Sequence, residues 1–400
     1  MPHRLIHTGL GLDTPNNGVK LVDTRVSQGK YAALSHCWGK KQPLRTTRST
    51  LDNHLRHIPW TAIPRTFQDA IGTARVIGLE YIWIDSLCIV QDDAKDWEVE
   101  SSQMMDIYSN AHLTIAATWG TGSHTGCTLQ TKPTVYARPL VYHDVSELPL
   151  NTRGWVLQEQ LLSRRVLYFT PTELRFECRT RETCECRLGS CTEGNQIGPP
   201  TQPRRYSPSW HRLVEEYTGR LLTFQSDKLI AISGIARKLE DNADRRNIQI
   251  GHYVAGLWRL TFFLDLLWKA DTKTSSMTQH SNTYRAPSWS WASMDGPVRY
   301  DAWWWSCARA ETVAVDLLHC HIEPSGADHF GNVRDGFIRI RGMVTEVTLR
   351  NKTAVKDVTQ HDGPEPIVAW SGATFTRACL VAMQRVLRHP VDSSEGCASC

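Results

Sequence analysis

Three short segments in the first third of the chain are apolar on both faces. Residues 31–35, 81–85 and 112–117 read YAALS, YIWID and HLTIAA, without the alternation that a half-exposed strand shows. Strands of this kind are typical of a parallel sheet that helices cover on both sides. The pattern therefore predicts three buried parallel strands.

Two amphipathic segments lie between these strands. The first begins after Pro64 and ends at Gly78, and the second begins after Asp96, a favourable N-cap residue. Their apolar residues recur three or four positions apart, as one face of a helix requires. They are Phe67, Ala70, Ile71, Ala74 and Ile77 in the first segment and Trp97, Met104, Ile107, Tyr108 and Ala111 in the second. Alternating strands and helices with right-handed crossovers predict an α/β fold, a parallel sheet with helices on both faces.

Changes in the pattern divide the chain into five parts. They are an α/β domain over residues 1–180, an irregular cysteine-containing insertion over 181–208, a helical extension over 209–300, a β-rich region over 301–390 and a frayed tail over 391–400. Within these parts, we expect helices over 209–239 and 253–268, and strands over 313–320 and 337–349. The region after residue 180 is thus predicted to be an α+β extension.

The charge balance argues against a dedicated nucleic-acid binder. The chain has 400 residues, with 45 Lys and Arg against 41 Asp and Glu, so the formal net charge is only +4. Hydrophobic residues make up 41% of the chain, which excludes a disordered or fibrous protein. We therefore expect a globular protein that does not bind nucleic acid.

The N-terminus lacks the apolar run of a signal peptide, and no apolar stretch reaches the length of a membrane span. We therefore expect a soluble, cytoplasmic protein with no membrane span. In that compartment, the 12 cysteines are expected to be thiols. Four of them, Cys178, Cys184, Cys186 and Cys191, lack the paired C-x2-C spacing of common structural zinc sites, so no metal site is predicted.

Polar residues follow the first two predicted strands. Ser35, His36 and Trp38 come at the end of the first strand, and Asp85 and Gln91 follow the second. Because ligands of parallel α/β sheets bind at the carboxyl ends of the strands, these residues are candidates for one pocket. His36 and Cys37 are adjacent in an extended segment and would point to opposite faces, so they do not suggest a nucleophile with its base.

Glu100 is the most distinctive single residue of the sequence. It shares the apolar face of the second predicted helix with Trp97 and Met104. A carboxylate there is costly unless it is hydrogen-bonded or functional. It is therefore either a catalytic or ligand-binding group, or a structural partner of an arginine such as Arg153.

A third group of polar residues occurs at 153–159. Arg153, Trp155 and Glu159 lie within two turns of a predicted short helix. The arginine is suited to holding an anionic group through its planar fork of donors. The alternative is a structural pair between Arg153 and Glu100 or Glu159.

Four blocks of the sequence resemble the fungal heterokaryon incompatibility (HET) domain. They occur in the family's order over residues 1–180 and read YAALSHCWG at 31–39, YIWIDSLCIVQD at 81–92, DWEVESSQMMDIYSNA at 96–111 and RGWVLQEQLLSR at 153–164. A weaker resemblance to the extension common in this family continues to about residue 300. The resemblance implies a TIR-like, flavodoxin-like domain with a role in allorecognition and regulated cell death.

The resemblance leaves the mechanism open among three alternatives. The first is an effector that acts through self-association or a protein partner and requires no cofactor. The second is a TIR-type enzyme that cleaves NAD, its substrate, with Glu100 as the catalytic residue. The third is a biosynthetic enzyme on the same fold. The remaining predicted pocket residues are Ser35, His36, Trp38, Asp85, Gln91, Trp97, Arg153, Trp155 and Glu159.

Overall fold

The computed structural model describes most of the first 342 residues. The described residues are 1–10, 18–24, 29–127, 148–185, 209–271, 279–281, 283–300, 315–326 and 328–342. The helices are α1 (Leu51–Arg56), α2 (Arg65–Val76), α3 (Asp85–Cys88), α4 (Ala94–Ser102), α5 (Met104–Asn110), α6 (Gly154–Leu162), α7 (Trp210–Thr218), α8 (Ile230–Arg245) and α9 (Phe262–Asp265). Short 3-10 helices span Trp60–Ala62, Pro149–Thr152, Gln225–Lys228 and Trp291–Ser293.

The described strands form one large sheet and four two-stranded antiparallel sheets. They are β1 (Arg4–His7), β2 (Lys20–Asp23), β3 (Tyr31–Ser35), β4 (Tyr81–Trp83), β5 (Leu113–Ala117), β6 (Arg165–Phe169), β7 (Leu174–Cys178), β8 (Glu182–Cys184), β9 (Tyr253–Val254), β10 (Leu257–Trp258), β11 (Trp268–Ala270), β12 (Gln279–His280), β13 (Met294–Asp295), β14 (Val298–Tyr300), β15 (Val315–Pro324) and β16 (Val333–Gly342).

The large sheet has a parallel centre and antiparallel edges. Its strands lie in the order β2-β1-β4-β3-β5-β6-β7-β8, and β4, β3, β5 and β6 are parallel to one another. Ala32 of β3, for example, pairs with Ile82 of β4 and Leu113 of β5. Along the chain these parallel strands have the spatial order 2-1-3-4, with which a flavodoxin-like sheet begins. The predicted α/β fold with a mainly parallel sheet is confirmed.

The central strands are buried because helices cover the sheet. Every residue of β3 and of β5 is buried, as their continuous apolar sequences predict. The core also takes in Phe67, Ala70 and Ile71 from α2 and Ile107 from α5. Right-handed crossovers place α2 on one face and α5 and α6 on the other.

The second amphipathic segment is interrupted. Asp93, rather than the expected Asp96, caps α4, because its carboxylate accepts the N–H groups of Lys95 and Asp96. The chain then breaks at Gln103, and α5 begins at Met104. Asp96 is thus free of the capping role and contacts another element of the sheet.

The chain divides into two compact units. Unit 1 comprises residues 1–209 and 220–241, and unit 2 comprises 210–219 and 242–400. In unit 2, the helix that we expected over 253–268 is wrong: this stretch forms β9, β10, the short helix α9 and the start of β11. Gly256, with a φ of 99°, lies in the tight turn between β9 and β10 and interrupts the helical pattern.

After residue 300, the described residues form the antiparallel pair of β15 and β16. The predicted frayed tail at 391–400 and most of the predicted insertion at 181–208 lie outside the described residues, although β8 falls at the start of that insertion. Within the described part of the chain, none of the helices has the length and apolarity that a membrane crossing needs.

Candidate functional site

Three strands end together on one edge of the parallel sheet. Ser35 ends β3, and the indole Nε1–H of Trp38, three residues later, donates a hydrogen bond of 2.7 Å to Asp85 Oδ2 beyond β4. Gly39 approaches Gly122, which follows β5. The two loops that sequence analysis assigned to one pocket therefore lie side by side. The β3–β5 boundary is also the point at which the strand order reverses, where α/β sheets bind ligands.

Asp85 does not end a strand as expected, because β4 stops at Trp83 and Asp85 opens the short helix α3. Its Oδ1 accepts the backbone N–H of Ser86 at 2.7 Å. Gln91 closes the same turn by donating from Nε2 to the carbonyl oxygens of Asp85 and Ile89, each at 3.1 Å. The turn is thus built around Asp85, whose carboxylate faces Trp38.

His36 is buried, and its ring makes no hydrogen bond to any described residue. Its Nδ1 lies 3.9 Å from Asp85 Oδ1, and the ring packs edge-on against Phe67 of α2 with centroids 5.0 Å apart. The pKa of His36 is lowered to about 4, chiefly by burial; the charge of Asp85 opposes the shift, and that of Arg153 contributes to it. The imidazole is therefore neutral at physiological pH, with two unpaired nitrogens.

Glu159 lies on the other face of the sheet, since Ser35 and His36 point in opposite directions. It is 6% exposed and sits on α6 beside the hydroxyl groups of Ser35 and Tyr108. Burial raises its pKa to about 7, although Arg153 and the two hydroxyls favour the ionised form. A carboxyl with this pKa exchanges its proton near neutral pH, as general acids and bases do.

Arg153 connects the two faces of the cluster. It is the N-cap residue of α6, and its Nη1–H donates to the carbonyl oxygen of His36. Its charge acts on His36, Cys37 and Glu159, whose pKa values all respond to it. The expected partnership with Glu159 is electrostatic, and the donated hydrogen bond goes to the backbone after β3.

Trp155 points toward the chain that follows α7. Its indole Nε1–H donates to Asp227 Oδ2 at 3.3 Å. The backbone of Leu221 bonds to the residues just before Trp155: its N–H donates to the Thr152 carbonyl, and its carbonyl accepts the N–H of Gly154. Burial raises the pKa of Asp227. Residues 220–228 therefore pack on the start of α6, within unit 1.

Glu100 is fully buried, as expected, but it meets a different arginine. Its Oε1 lies 2.9 Å from His3 Nδ1 and 3.6 Å from Arg4 Nη2, both from the region of β1. Arg153, the sequence candidate, contacts His36 instead. Burial raises the pKa of Glu100, whereas Arg4 and His3 lower it. Glu100 therefore belongs to a second cluster, behind the turn that carries Asp85.

Most residues of the cluster at the carboxyl edge of the sheet were predictable from the sequence, but several of the residues that contact the predicted ones were not. Ser35, His36, Trp38, Asp85, Gln91, Arg153 and Glu159 are at the carboxyl edge, while Trp97 is half-buried and packs on the core. The apolar pattern predicts Tyr108 as a core residue; its hydroxyl, the available signal of a polar role, donates to the Leu34 carbonyl at 3.3 Å. The roles of Arg4 and Asp227 had no local signal.

The described residues contain no group of three or more His, Cys, Asp or Glu side chains arranged to hold a metal ion. Of the four cysteines considered for zinc, Cys178 and Cys184 lie among the described residues, in β7 and β8. Cys186 and Cys191 lie outside the described residues.

Comparisons with known proteins gave one match. A comparison with curated proteins found no match, and neither did a comparison with solved structures. Residues 31–142 match the model of the family described as heterokaryon incompatibility protein (HET). The match includes β3, β4 and β5, which bring Ser35, His36 and Asp85 to one edge of the sheet. The chain therefore carries a domain of the heterokaryon incompatibility family, as its sequence blocks predicted.

Proposed function

We propose that this protein is an effector of fungal allorecognition that triggers regulated cell death through self-association or binding of a partner protein. The family match supports the biological setting. The observation that carries the proposal is the buried polar cluster around Glu159 and His36 at the carboxyl edge of the sheet. Burying such groups costs free energy that an apolar core would not require, and such groups concentrate at functional sites.

The test is inducible expression of the full chain in a fungal host, followed by counting viable cells. We expect wild-type protein to kill the host. Tyr108→Phe, which removes only the hydroxyl beside Glu159, is expected to weaken killing at equal protein level. Tyr81→Phe is the matched control, because Tyr81 is partly exposed on β4 and its ring packs against His7.

Three results would contradict this proposal. Normal growth of cells that express the wild-type chain would overturn the role in cell death. Undiminished killing by Tyr108→Phe would separate the cluster from that role. Weakened killing by Tyr81→Phe to the same degree would mean that any loss of a tyrosine hydroxyl has this effect, and the cluster would again lose its support.

A second candidate function is cleavage of NAD at the bond between nicotinamide and ribose. Glu159 favours it, because a desolvated carboxylate can stabilise the oxocarbenium-like charge that develops as nicotinamide leaves with the bonding electrons. Water then adds to the ribose carbon and loses a proton. On this reading the catalytic carboxylate is Glu159, since Glu100 is paired with Arg4 and His3.

This candidate is tested by measuring nicotinamide release from NAD by the purified full-length protein. Because the ionised carboxylate is the active form, the rate is expected to rise with pH through about 7, the pKa of Glu159. A chain that releases no nicotinamide, or one whose rate falls over this range, would exclude the candidate and leave the non-catalytic effector.

A further inference from the structure

Arg4 of β1 is engaged on three sides. Its Nε–H donates to the carbonyl oxygen of Cys88 at 2.7 Å, and its Nη2–H donates to Asp96 Oδ2. The same Nη2 lies 3.6 Å from Glu100 Oε1. The side chain is only 15% exposed, so the guanidinium is largely withdrawn from water. Such charge-assisted contacts are stronger than neutral hydrogen bonds.

Two of these contacts lead to one turn of the chain, residues 85–91. Cys88, the acceptor of the Arg4 Nε–H, ends the short helix in this turn. Asp96 Oδ2, which receives the Arg4 Nη2–H, also accepts the backbone N–H of Val90 at 2.7 Å. Arg4 therefore holds the turn both directly and through Asp96.

The same turn forms part of the candidate site. It begins at Asp85, the partner of the Trp38 indole, and it ends at Gln91, which donates back to the Asp85 carbonyl. On the other side, the turn is tied to Thr46, whose N–H donates to the Ser86 carbonyl and whose carbonyl accepts the Gln91 N–H. Arg4 adds support at the Cys88 carbonyl and, through Asp96, at the Val90 N–H, two groups that these Thr46 hydrogen bonds do not use.

Glu100 completes the arrangement from α4. It is fully buried, and the charged groups that face it are Arg4, His3 and Asp96. One arginine thus lies between two carboxylates, and His3, which is 38% exposed, shares the second of them. Removing one partner from a buried ion pair leaves a charge without compensation, so each member of the group depends on the others.

We propose that Arg4, together with Glu100, is a positioning residue that holds the turn at residues 85–91 in the geometry that presents Asp85 to Trp38 and the candidate site. The family match begins at residue 31, so this support comes from a strand that precedes it. The proposal rests on the proposed function only in treating this edge of the sheet as the site.

The test is hydrogen exchange of the full-length protein, followed by mass spectrometry. In Arg4→Gln, we expect peptides that cover residues 84–92 to exchange about tenfold faster, because Val90 and its neighbours lose their support. Peptides from β5 and β6 should change by less than about twofold. Arg65→Gln is the matched control, since Arg65 forms a more exposed pair with Asp69 within α2.

The outcomes separate positioning from general stabilisation. Equal acceleration in all peptides would show that Arg4 only stabilises the fold, and unchanged exchange at 84–92 would show that the turn does not depend on it. Either result overturns the proposal. The measurement needs no activity, so failure of the proposed function and failure of the positioning role are distinguishable.

A conservative variant provides a second measurement if Arg4→Gln does not fold. Arg4→Lys keeps the positive charge between Asp96 and Glu100 but replaces the fork that reaches both Asp96 and Cys88. In Arg4→Lys, we expect the protection of residues 84–92 to be lower than in the wild type but higher than in Glu100→Gln. We also expect the indole N–H resonance of Trp38 to lie closer to its wild-type position in Arg4→Lys than in Glu100→Gln. Protection in Arg4→Lys no better than in Glu100→Gln would contradict a positioning role based on charge.

Discussion

At the scale of single residues, burial shifts the pKa values of two groups of unit 1 in opposite directions, each in favour of the neutral form. Burial raises the pKa of Glu159 to about 7 and lowers that of His36 to about 4. Each shift means that the charged form of the group is less favourable in the folded protein than in the unfolded chain. Each therefore makes stability depend on pH, in opposite directions. Between about pH 4.5 and 6.5 the two dependences oppose each other, so single variants are needed to reveal them.

We expect Glu159→Gln to become more stable relative to wild type as the pH rises. The native protein keeps the Glu159 proton up to about pH 7, whereas the unfolded chain loses it near its ordinary value of 4.5. Wild-type stability therefore falls between these values by about 3 kcal/mol on account of this residue, and glutamine has no proton to lose. Urea unfolding at about pH 5 and pH 8 measures the difference; an equal difference at both would show that Glu159 titrates normally.

His36→Gln is expected to show the opposite pH dependence. The native imidazole stays neutral down to about pH 4, while the unfolded chain takes up a proton near 6.5. Wild-type stability therefore falls by about 3 kcal/mol as the pH drops through this range, and the variant escapes that loss. The same denaturation series, extended to about pH 4, tests this. A constant gap between the two proteins would mean that folding leaves the pKa of His36 unchanged.

The two glutamates illustrate which site properties a sequence can predict. Glu100 stood out because it lies on an apolar helix face, and the structure does bury it. Its partner could not be predicted, since Arg4 lies on β1, which is far from Glu100 in the sequence and reaches it by pairing with β4 in the folded sheet. The pKa of Glu159 was equally hidden, because it depends first on burial and then on hydroxyls of β3 and α5 that approach α6 only in the folded chain.

At the scale of elements, the parallel strands were predictable and the unit 2 strands were not. β3 and β5 are apolar on both faces, and each is too short to be a typical buried helix, so the pattern predicts strands. Residues 253–268 contain apolar residues at helical spacing, but turns at Gly256 and at residues 259–261 break them into short strands and one helical turn. Aromatic contacts such as that between Tyr253 and Trp258 stabilise this arrangement.

The loop after β3 depends on glycine, which yields a prediction for Gly39→Ala. Gly39 has a φ of 81°, and an added Cβ would lie 2.8 Å from the Cα of Gly122. Backbone strain and overpacking together are expected to cost about 2–4 kcal/mol. Thermal or urea unfolding measures this cost.

Gly72→Ala is the matched control for Gly39→Ala. Gly72 lies inside α2, and an added Cβ there would meet no atom within 4 Å. This variant should gain about 0.5–1 kcal/mol from its higher helix propensity. If Gly39→Ala also left stability unchanged or raised it, the close approach of the loops after β3 and β5 would be contradicted.

At the scale of the whole molecule, unit 1 extends beyond the family match. Residues 220–241 belong to unit 1 although they follow α7, which belongs to unit 2. The backbone N–H of Gly234 donates to Gln158 Oε1 at 3.2 Å, and Arg237 Nη1–H donates to the Ser102 carbonyl at 3.1 Å. These bonds join α8 to the helices that carry Glu159 and Glu100.

Gly234→Ala tests this packing. An added Cβ would lie 2.7 Å from Gln158 Oε1 and 3.0 Å from Met105 Cβ, so the helices must shift. We expect a loss of about 1–3 kcal/mol in unfolding free energy, although alanine favours a helix. A gain in stability, like that expected for Gly72→Ala, would show that α8 does not pack on α5 and α6.

The viability of fungal cells that express Glu159→Gln tests whether the cluster around Glu159 carries the function. The control is Glu98→Gln, the same chemical change at an exposed position of α4. At equal levels of folded protein, we expect Glu159→Gln to lose killing by about tenfold or more, which corresponds to about 1.4 kcal/mol of binding free energy, while Glu98→Gln kills like wild type. Killing by Glu159→Gln at the wild-type level would contradict a functional role of the cluster around Glu159.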